Sequence, residues 1–302
     1  MARAHVDPEA WKRKVRRRWI IGITLVLVLA VVLGGGWLVR NRIRPALRYS
    51  EAEKALERGA VQEAIDGFSL LRGYRDAGHR AAELAYEANP DRALLETLRQ
   101  AELGSTVTFG SWEQDGDPEN GQEPIRWIVM ADDAGRILLW SEAVLDQLPY
   151  NETCVSTTWA DATLRTWLNG TFYEQAFTPA EQLLIALTEV ENADNTASGT
   201  KGGETTEDRV CILSFNELLA FAFYNPNLEQ IYAYPTDYAL SRGVECHAQW
   251  KTSPWWIRTP GIKQTCAAYC DMAGKPLYSG SVNHRGYGVR PMIWLFVPGR
   301  AE

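Results

Sequence analysis

Histidine is scarce in this chain: four occur in 302 residues, His5, His79, His247 and His284. Acid–base or metal chemistry built on imidazole has few places to sit. No H-E-x-x-H, phosphate loop or Ser-His-Asp order occurs, which removes the usual sequence warrants for a zinc protease, a nucleotide enzyme or a serine hydrolase. Net positive charge is confined to the N-terminus. The chain carries −7 overall, yet residues 1–18 hold +5 and Arg40, Arg42 and Arg44 add +3, so residues 45–302 carry −15. Nucleic-acid affinity rests on cations that displace counterions, and nucleic acid is not an expected partner of such a body. Cysteine is present in an odd number, Cys154, Cys211, Cys246, Cys266 and Cys270. They cannot all pair within one chain, and small buried hydrophobes are their expected role.

What the sequence does have is one long apolar run. Residues 19–39 read WIIGITLVLVLAVVLGGGWLV without a charge, which at helical rise matches a hydrocarbon core of about 30 Å. Six Lys/Arg between Lys12 and Arg18 precede it, three arginines follow, and Trp19 and Trp37 stand at its ends. The bias places residues 1–18 as a cytoplasmic tail and the C-terminal part outside a cell membrane crossed once. A cleaved signal peptide would have a shorter apolar core and a small-residue cleavage site. Gly34, Gly35 and Gly36 leave room for a second helix and so for a homo-oligomer.

Residues 45–103 show helical spacing of Ala52, Leu56 and Ala60, then Ala64, Ile65, Phe68 and Leu71, then Ala77, Ala81 and Ala85. The stretch ALERGAVQEAIDGFSLL resembles a tetratricopeptide helix pair, with Gly59 at the turn and Ala64 at the tightest crossing. About one and a half copies fit, too few to bury a continuous core, so the segment leans on something else or serves as a stalk.

At Gly104 the texture changes to short β-rich runs. TVTFGSW, IRWIVM and RILLW read as strands, with Asn120-Gly121 suited to a turn between the first two. Thr178-Pro179-Ala180-Glu181 and Ser214 to Glu217 have capping-box spacing ahead of helices. Strands return in PWWIRTPG, CAAYCDM and GYGVRPMIWLFV. Strands, helices and strands again predict an α+β domain over residues 104–302, mainly antiparallel, whose last strand can pair back with its first.

The polar and aromatic residues nominate several sites. Trp127, Trp140, Trp159, Trp167 and Trp294 sit in apolar periodic runs and read as core. Trp255 and Trp256 are adjacent on a strand and point to opposite faces, so one of them is a candidate ligand contact. The loop YSGSVNHRGYG gathers Tyr278, Asn283, His284, Arg285 and Tyr287, the composition of adaptable recognition loops. Arg258 and Arg290 lie among aromatics and read as structural, each in need of a carboxylate. Asp115 and Asp117 in one acidic loop, and Asp194 and Asp208 in another, supply hard oxygen ligands that Ca²⁺ would accept, without the full calcium-loop pattern.

VTFGSW, EPIRWIVM, LRTWLN, WWIRTPG and GVRPMIWL, in that order, resemble an uncharacterised bacterial family known as domain of unknown function 6273. Its members often carry a membrane segment and tetratricopeptide-like helices ahead of the domain. More distantly, a Trp-rich strand ending in Arg and a terminal G-x-R strand are similar to the C-type-lectin-like fold of formylglycine-generating enzymes and of bacterial binding proteins. The resemblance implies a C-type-lectin-like mixed domain that recognises a glycan, peptide or protein outside the cell. A metal- and cysteine-dependent modifying enzyme is the alternative, although the cysteine spacing of those enzymes is not reproduced by Cys266 and Cys270.

Overall fold

The computed structural model describes residues 33, 39–133, 135–224 and 231–299. The basic tail, and the expected span over 19–39 apart from Leu33 and Val39, lie outside the described residues. Among the described residues no helix is long and apolar enough to cross a membrane.

Four helices come first: α1 (Arg44–Glu57), α2 (Val61–Ser69), α3 (Ala77–Ala88) and α4 (Arg92–Gln100). Their small residues let the backbones approach, and Ala55, Ala64, Ala77, Ala81 and Ala85 are fully buried. Gly67 also sits at a close approach of α2 to α1, because a Cβ there would stand 2.9 Å from that of Ala52. Tyr49 anchors the bundle from the other side. Its ring meets Phe68 edge-on at 5.1 Å, its hydroxyl donates to Asp76 (2.6 Å), and it accepts from Arg80 (2.9 Å).

These helices do not stand apart as a stalk. Arg209 pairs with Asp66 and Arg72 with Asp133, Ser69 Oγ donates to Leu187 O (2.7 Å), and Asn89 Nδ2 donates to Ala180 O (2.8 Å). The helical segment thus covers its open face with the following domain.

That domain is α+β. One antiparallel sheet has the order β1 (Thr106–Trp112), β2 (Glu123–Asp132), β3 (Arg136–Ser141), β12 (Pro291–Phe296), β7 (Val210–Ile212). The closing strand therefore pairs with β3 and β7, through Met292↔Trp140 and Met292↔Cys211, and not with β1. Burial explains the difference. Every residue of β3 is buried whereas β1 alternates exposed and buried, so β3 takes the centre and β1 the edge. A second sheet runs β10 (Pro276–Ser281), β9 (Cys266–Cys270), β8 (Trp255–Pro260), β11 (Gly288–Val289), β4 (Asp146–Gln147), antiparallel except between β8 and β11. A ribbon of β5 (Thr188–Val190) and β6 (Thr206–Asp208) completes the strands.

Between the sheets the chain forms α5 (Thr163–Trp167), which continues through a π-turn into α6 (Tyr173–Ala176), then α7 (Pro179–Leu184), α8 (Phe215–Tyr224) and α9 (Asp237–Ser241). The predicted capping box of α7 is present, and its glutamate does more than cap: Glu181 Oε1 accepts from Gly110 N at 3.0 Å. Gly110 sits at a bulge of β1 with φ +65°, and any Cβ there would collide with Phe177 at 2.5 Å. Only glycine fits.

The core between the sheets is aromatic. Trp140 meets Trp255 edge-on at 5.3 Å, and the Arg290 guanidinium lies 3.4 Å from the Trp140 ring centre. Trp127, Trp140 and Trp159 are fully buried, with Trp167 and Trp294 packed half-buried against them.

Candidate functional site

Neither tryptophan of the WW pair reaches the surface. Trp255 is 1% and Trp256 0% exposed, which corrects the expectation that one of them contacts a ligand. Strand β8 has cover on both faces: Trp255 packs on Trp140, while Trp256 is wedged between Tyr150 (5.7 Å) and Tyr287 (4.8 Å). Their indole N–H groups are satisfied internally, by Ile231 O and Leu148 O.

The recognition loop is shorter than its composition implied, since Tyr278 belongs to strand β10. Residues 282–287 do bring Asn283, His284, Arg285 and Tyr287 together, but the turn is folded onto the protein. His284 Nε2 lies 3.0 Å from Glu245 Oε1, Arg285 pairs with Glu152, and Ser281 Oγ donates to Asn283 Oδ1 at 2.9 Å. Tyr287 stacks on Tyr269 at 4.2 Å, and its phenol is pushed upward in pKa by burial first and by its bond to Tyr269 second.

A cavity opens elsewhere among the described residues. With a volume of about 540 Å³, it lies between β5 and the loop after it, the start of α8, and strands β8, β10 and β12. Its floor is a capped helix whose half-buried Glu217 pairs with the buried Arg258. Ser214 N donates to Glu217 Oε2 (2.6 Å) and Glu217 N to Ser214 Oγ (3.2 Å), the reciprocal capping box expected from their spacing. The same carboxylate accepts both Arg258 amino groups, at 2.7 and 2.8 Å. Burial would raise the Glu217 pKa, but the Arg258 charge and these hydrogen bonds outweigh it and hold the carboxyl below its usual range. Arg258 is correspondingly held charged: burial opposes its charge and Glu217 overrides that.

Loop and aromatic walls complete the cavity. Phe215 and Tyr278 meet edge-on at 5.5 Å. Phe215 N donates to Thr259 Oγ1 at 2.8 Å, tying α8 to β8. Asn195, 5% exposed, donates to Pro260 O at 2.9 Å and so fixes the rim loop to the sheet. Of the residues nominated from sequence, Arg258, Tyr278, Asp194 and Asp208 line this cavity. Glu191, an acid of the same loop as Asp194, lines it too, as do Glu189, Phe215 and Glu217, which were not nominated. The capping-box spacing marked Glu217, but its partner lies 41 residues away and no local pattern couples them.

Arg290, the other structural arginine, has backbone oxygens among its partners: Nε donates to Ser141 O (2.8 Å) and Nη2 to Glu142 O (3.3 Å). Burial lowers its pKa to about 9. The aromatic faces of Trp140 and Trp255 also favour its charge.

The calcium expectation is revised by how the acids are used. Among the described residues the one group of acids, histidines or cysteines close enough to share a metal is Glu113, Asp115 and Glu123, which includes Asp115 but not Asp117, Asp194 or Asp208. Asp117 accepts from Glu119 N within its own turn. Asp194 accepts from Lys201 and Gly202 N, and the Lys201 bond lowers its pKa. Asp208 is buried and accepts from Trp159, Arg165 and Thr206. The Asp115 oxygens bind Asp117 N and Asn120 Nδ2 and shape the loop between β1 and β2.

All five cysteines are free thiols. Cys266 and Cys270 occupy the two ends of β9 and are buried, and burial pushes Cys270 up to about 12, far from a thiolate at neutral pH.

A family described as a domain of unknown function (DUF6273) matches residues 134–297. The chain belongs to this family. No curated protein and no solved structure matches the chain. The DUF6273 match starts just before β3, so β1 and β2, which carry VTFGSW and EPIRWIVM, precede it. Inside it, the polar residues of LRTWLN, WWIRTPG and GVRPMIWL act as clamps. Arg165 holds Asp208 (2.6 Å), Asn169 Oδ1 accepts from Arg209 N and its Nδ2 donates to Val210 O, and Arg258 and Arg290 join the sheets as described.

Proposed function

We propose that this protein recognises a ligand in the 540 Å³ cavity and presents that cavity outside the cell, held at the membrane by residues 19–39. The observation that carries the recognition reading is the contrast between frame and rim. The capped start of α8 and its part-buried Glu217–Arg258 pair make the floor, while loop residues 191–197 supply an exposed polar rim pinned at Asn195. Sites of this kind bind through loops whose side chains vary without disturbing the scaffold. The membrane anchor and the outward orientation rest on the uncharged run and its basic flank. The C-type-lectin-like kinship belongs to the same reading, supported by two mainly antiparallel sheets joined by long loops around an aromatic core. The glycan, peptide or protein nature of the ligand follows from that kinship.

Two measurements test this. Protease added to intact cells should remove the domain; a protected C-terminus with a cleaved N-terminal tail overturns the orientation. Glycan and peptide arrays probed with the wild-type chain and with Ala193→Trp, which adds bulk to an exposed residue of the cavity rim, should show binding lost in the variant. Binding that survives the substitution places the ligand elsewhere.

A further inference from the structure

The charges around the cavity are not balanced. Its lining has five carboxylates, Glu189, Glu191, Asp194, Asp208 and Glu217, against two cations, Arg209 and Arg258. Both cations are already engaged, Arg209 by Asp66 and Arg258 by Glu217. Asp194 and Asp208 are matched by Lys201 and Arg165. Glu189 and Glu191 remain, both exposed and with no ion pair among the described residues. Glu189 also faces another acid across the β5–β6 ribbon, in register with Glu207. Directly opposed like charges repel, and Glu207 is relieved only by a solvent-exposed contact to Arg48 at 3.4 Å.

The remaining chemistry of the lining has the same sense. Asn192 gives its amide N–H to Glu204 O at 2.7 Å, and its Oδ1 is buried with no donor among the described residues. Phe215 and Tyr278, both half-buried, and half-exposed Trp294 add aromatic surface. Unmatched carboxylates beside aromatic rings attract a positive charge twice over, through Coulomb interaction and through the ring quadrupole. An anionic ligand would meet two uncompensated acids and no free cation of the lining.

We propose that the cavity takes an organic cation, an alkylammonium or guanidinium group, with Glu189 and Glu191 as its counter-charges and the Phe215–Tyr278 pair as its aromatic wall. This rests on the cavity being the ligand site. The cation can arrive on a free amine or on a Lys/Arg side chain of a peptide, and the chemistry at the cavity is the same in both.

Calorimetric titration of the full chain in detergent separates these claims, using cadaverine, agmatine, an oligolysine peptide and glutarate, a dianion of similar length. The amines or the peptide should bind and glutarate should not. Peptide binding without amine binding identifies a protein segment as the source, and the reverse identifies a free amine. Glu189→Gln and Glu191→Gln should each weaken the cation by about 2- to 5-fold, the range of single exposed ion pairs, and added salt should weaken it further. Equal binding of glutarate, cation binding indifferent to both glutamine variants, or Ca²⁺ binding with no amine binding would overturn the cation assignment. Ala193→Trp and Asn216→Trp, both at exposed lining positions, test the cavity itself. A ligand of either charge that they block leaves the cavity reading standing even if the cation assignment falls; a ligand that neither blocks removes both.

Discussion

The turn at residues 282–287 and the cavity rim at residues 188–197 are both polar and loop-rich, and they behave in opposite ways. In the first, the side chains are already engaged: His284 meets Glu245 and Arg285 meets Glu152 at the surface, and Tyr287 lies between Trp256 and Tyr269. In the second, Asn195 alone ties the loop down to β8 while Glu189 and Glu191 stay exposed without an ion pair among the described residues. A loop's composition says what it can bind; its closure says whether those groups are still available. Arg258 and Arg290 repeat the lesson inside the core. Both are buried, yet Glu217 outweighs burial and holds Arg258 charged, whereas for Arg290 burial dominates and lowers the pKa to about 9.

The sharpest way to break the comparison is to disturb the cavity floor. Glu217→Ala leaves Arg258 buried without its carboxylate and should cost about 3–5 kcal/mol, read as a large fall in melting temperature. Glu217→Met with Arg258→Met should recover much of that, because the desolvation of both charges disappears together. A single variant as stable as wild type would mean that the ion pair is not the floor of the cavity.

Tyr287→Ala comes next, at about 2 kcal/mol for a half-buried ring packed on Trp256 and Tyr269, whereas Asn283→Ala, on the exposed tip of the same turn, should stay within about 0.5 kcal/mol. Equal effects at the two positions would make the whole turn solvated and return it as a recognition loop.

A smaller, pH-dependent effect follows from Glu217. Its folded pKa lies below the ordinary value of 4.5, so the unfolded chain takes up its proton first as pH falls. The stabilisation is therefore complete above about pH 4.5 and disappears as pH drops through the lower folded value. Chemical denaturation of the wild type and the Met/Met double variant between pH 6 and 3 should show the wild type losing more; parallel curves would refute the coupling.

Smallest of all, Glu189→Gln and Glu191→Gln should change stability by no more than about 0.5 kcal/mol, and removal of the Glu189–Glu207 repulsion gives the first a slightly stabilising sign. A clear destabilisation would show that these acids support the fold and are not held open for a ligand.

The elements were legible in the sequence because their causes are local. Alternating apolar residues marked β1 and a short continuous apolar run marked β3, Thr178 and Glu181 marked the start of α7, and small residues at helical spacing marked α1 to α3. The WW pair misled for an equally physical reason. Period-two alternation says that adjacent residues face opposite ways, but not that both faces of β8 are covered. By itself, then, the sequence determined the acidic body, the uncharged run at residues 19–39, the change from helices to strands at Gly104 and the capping boxes, since charge, hydropathy and capping depend on neighbours a few residues apart. Tertiary structure alone decided that β12 joins β3 and β7, that the helical segment docks on the domain, and that a cavity opens beside Glu217 and Arg258. Each of these is set by contacts between distant parts of the chain, where burial on both sides of a strand and the pairing of charges select one arrangement among many that local pattern permits.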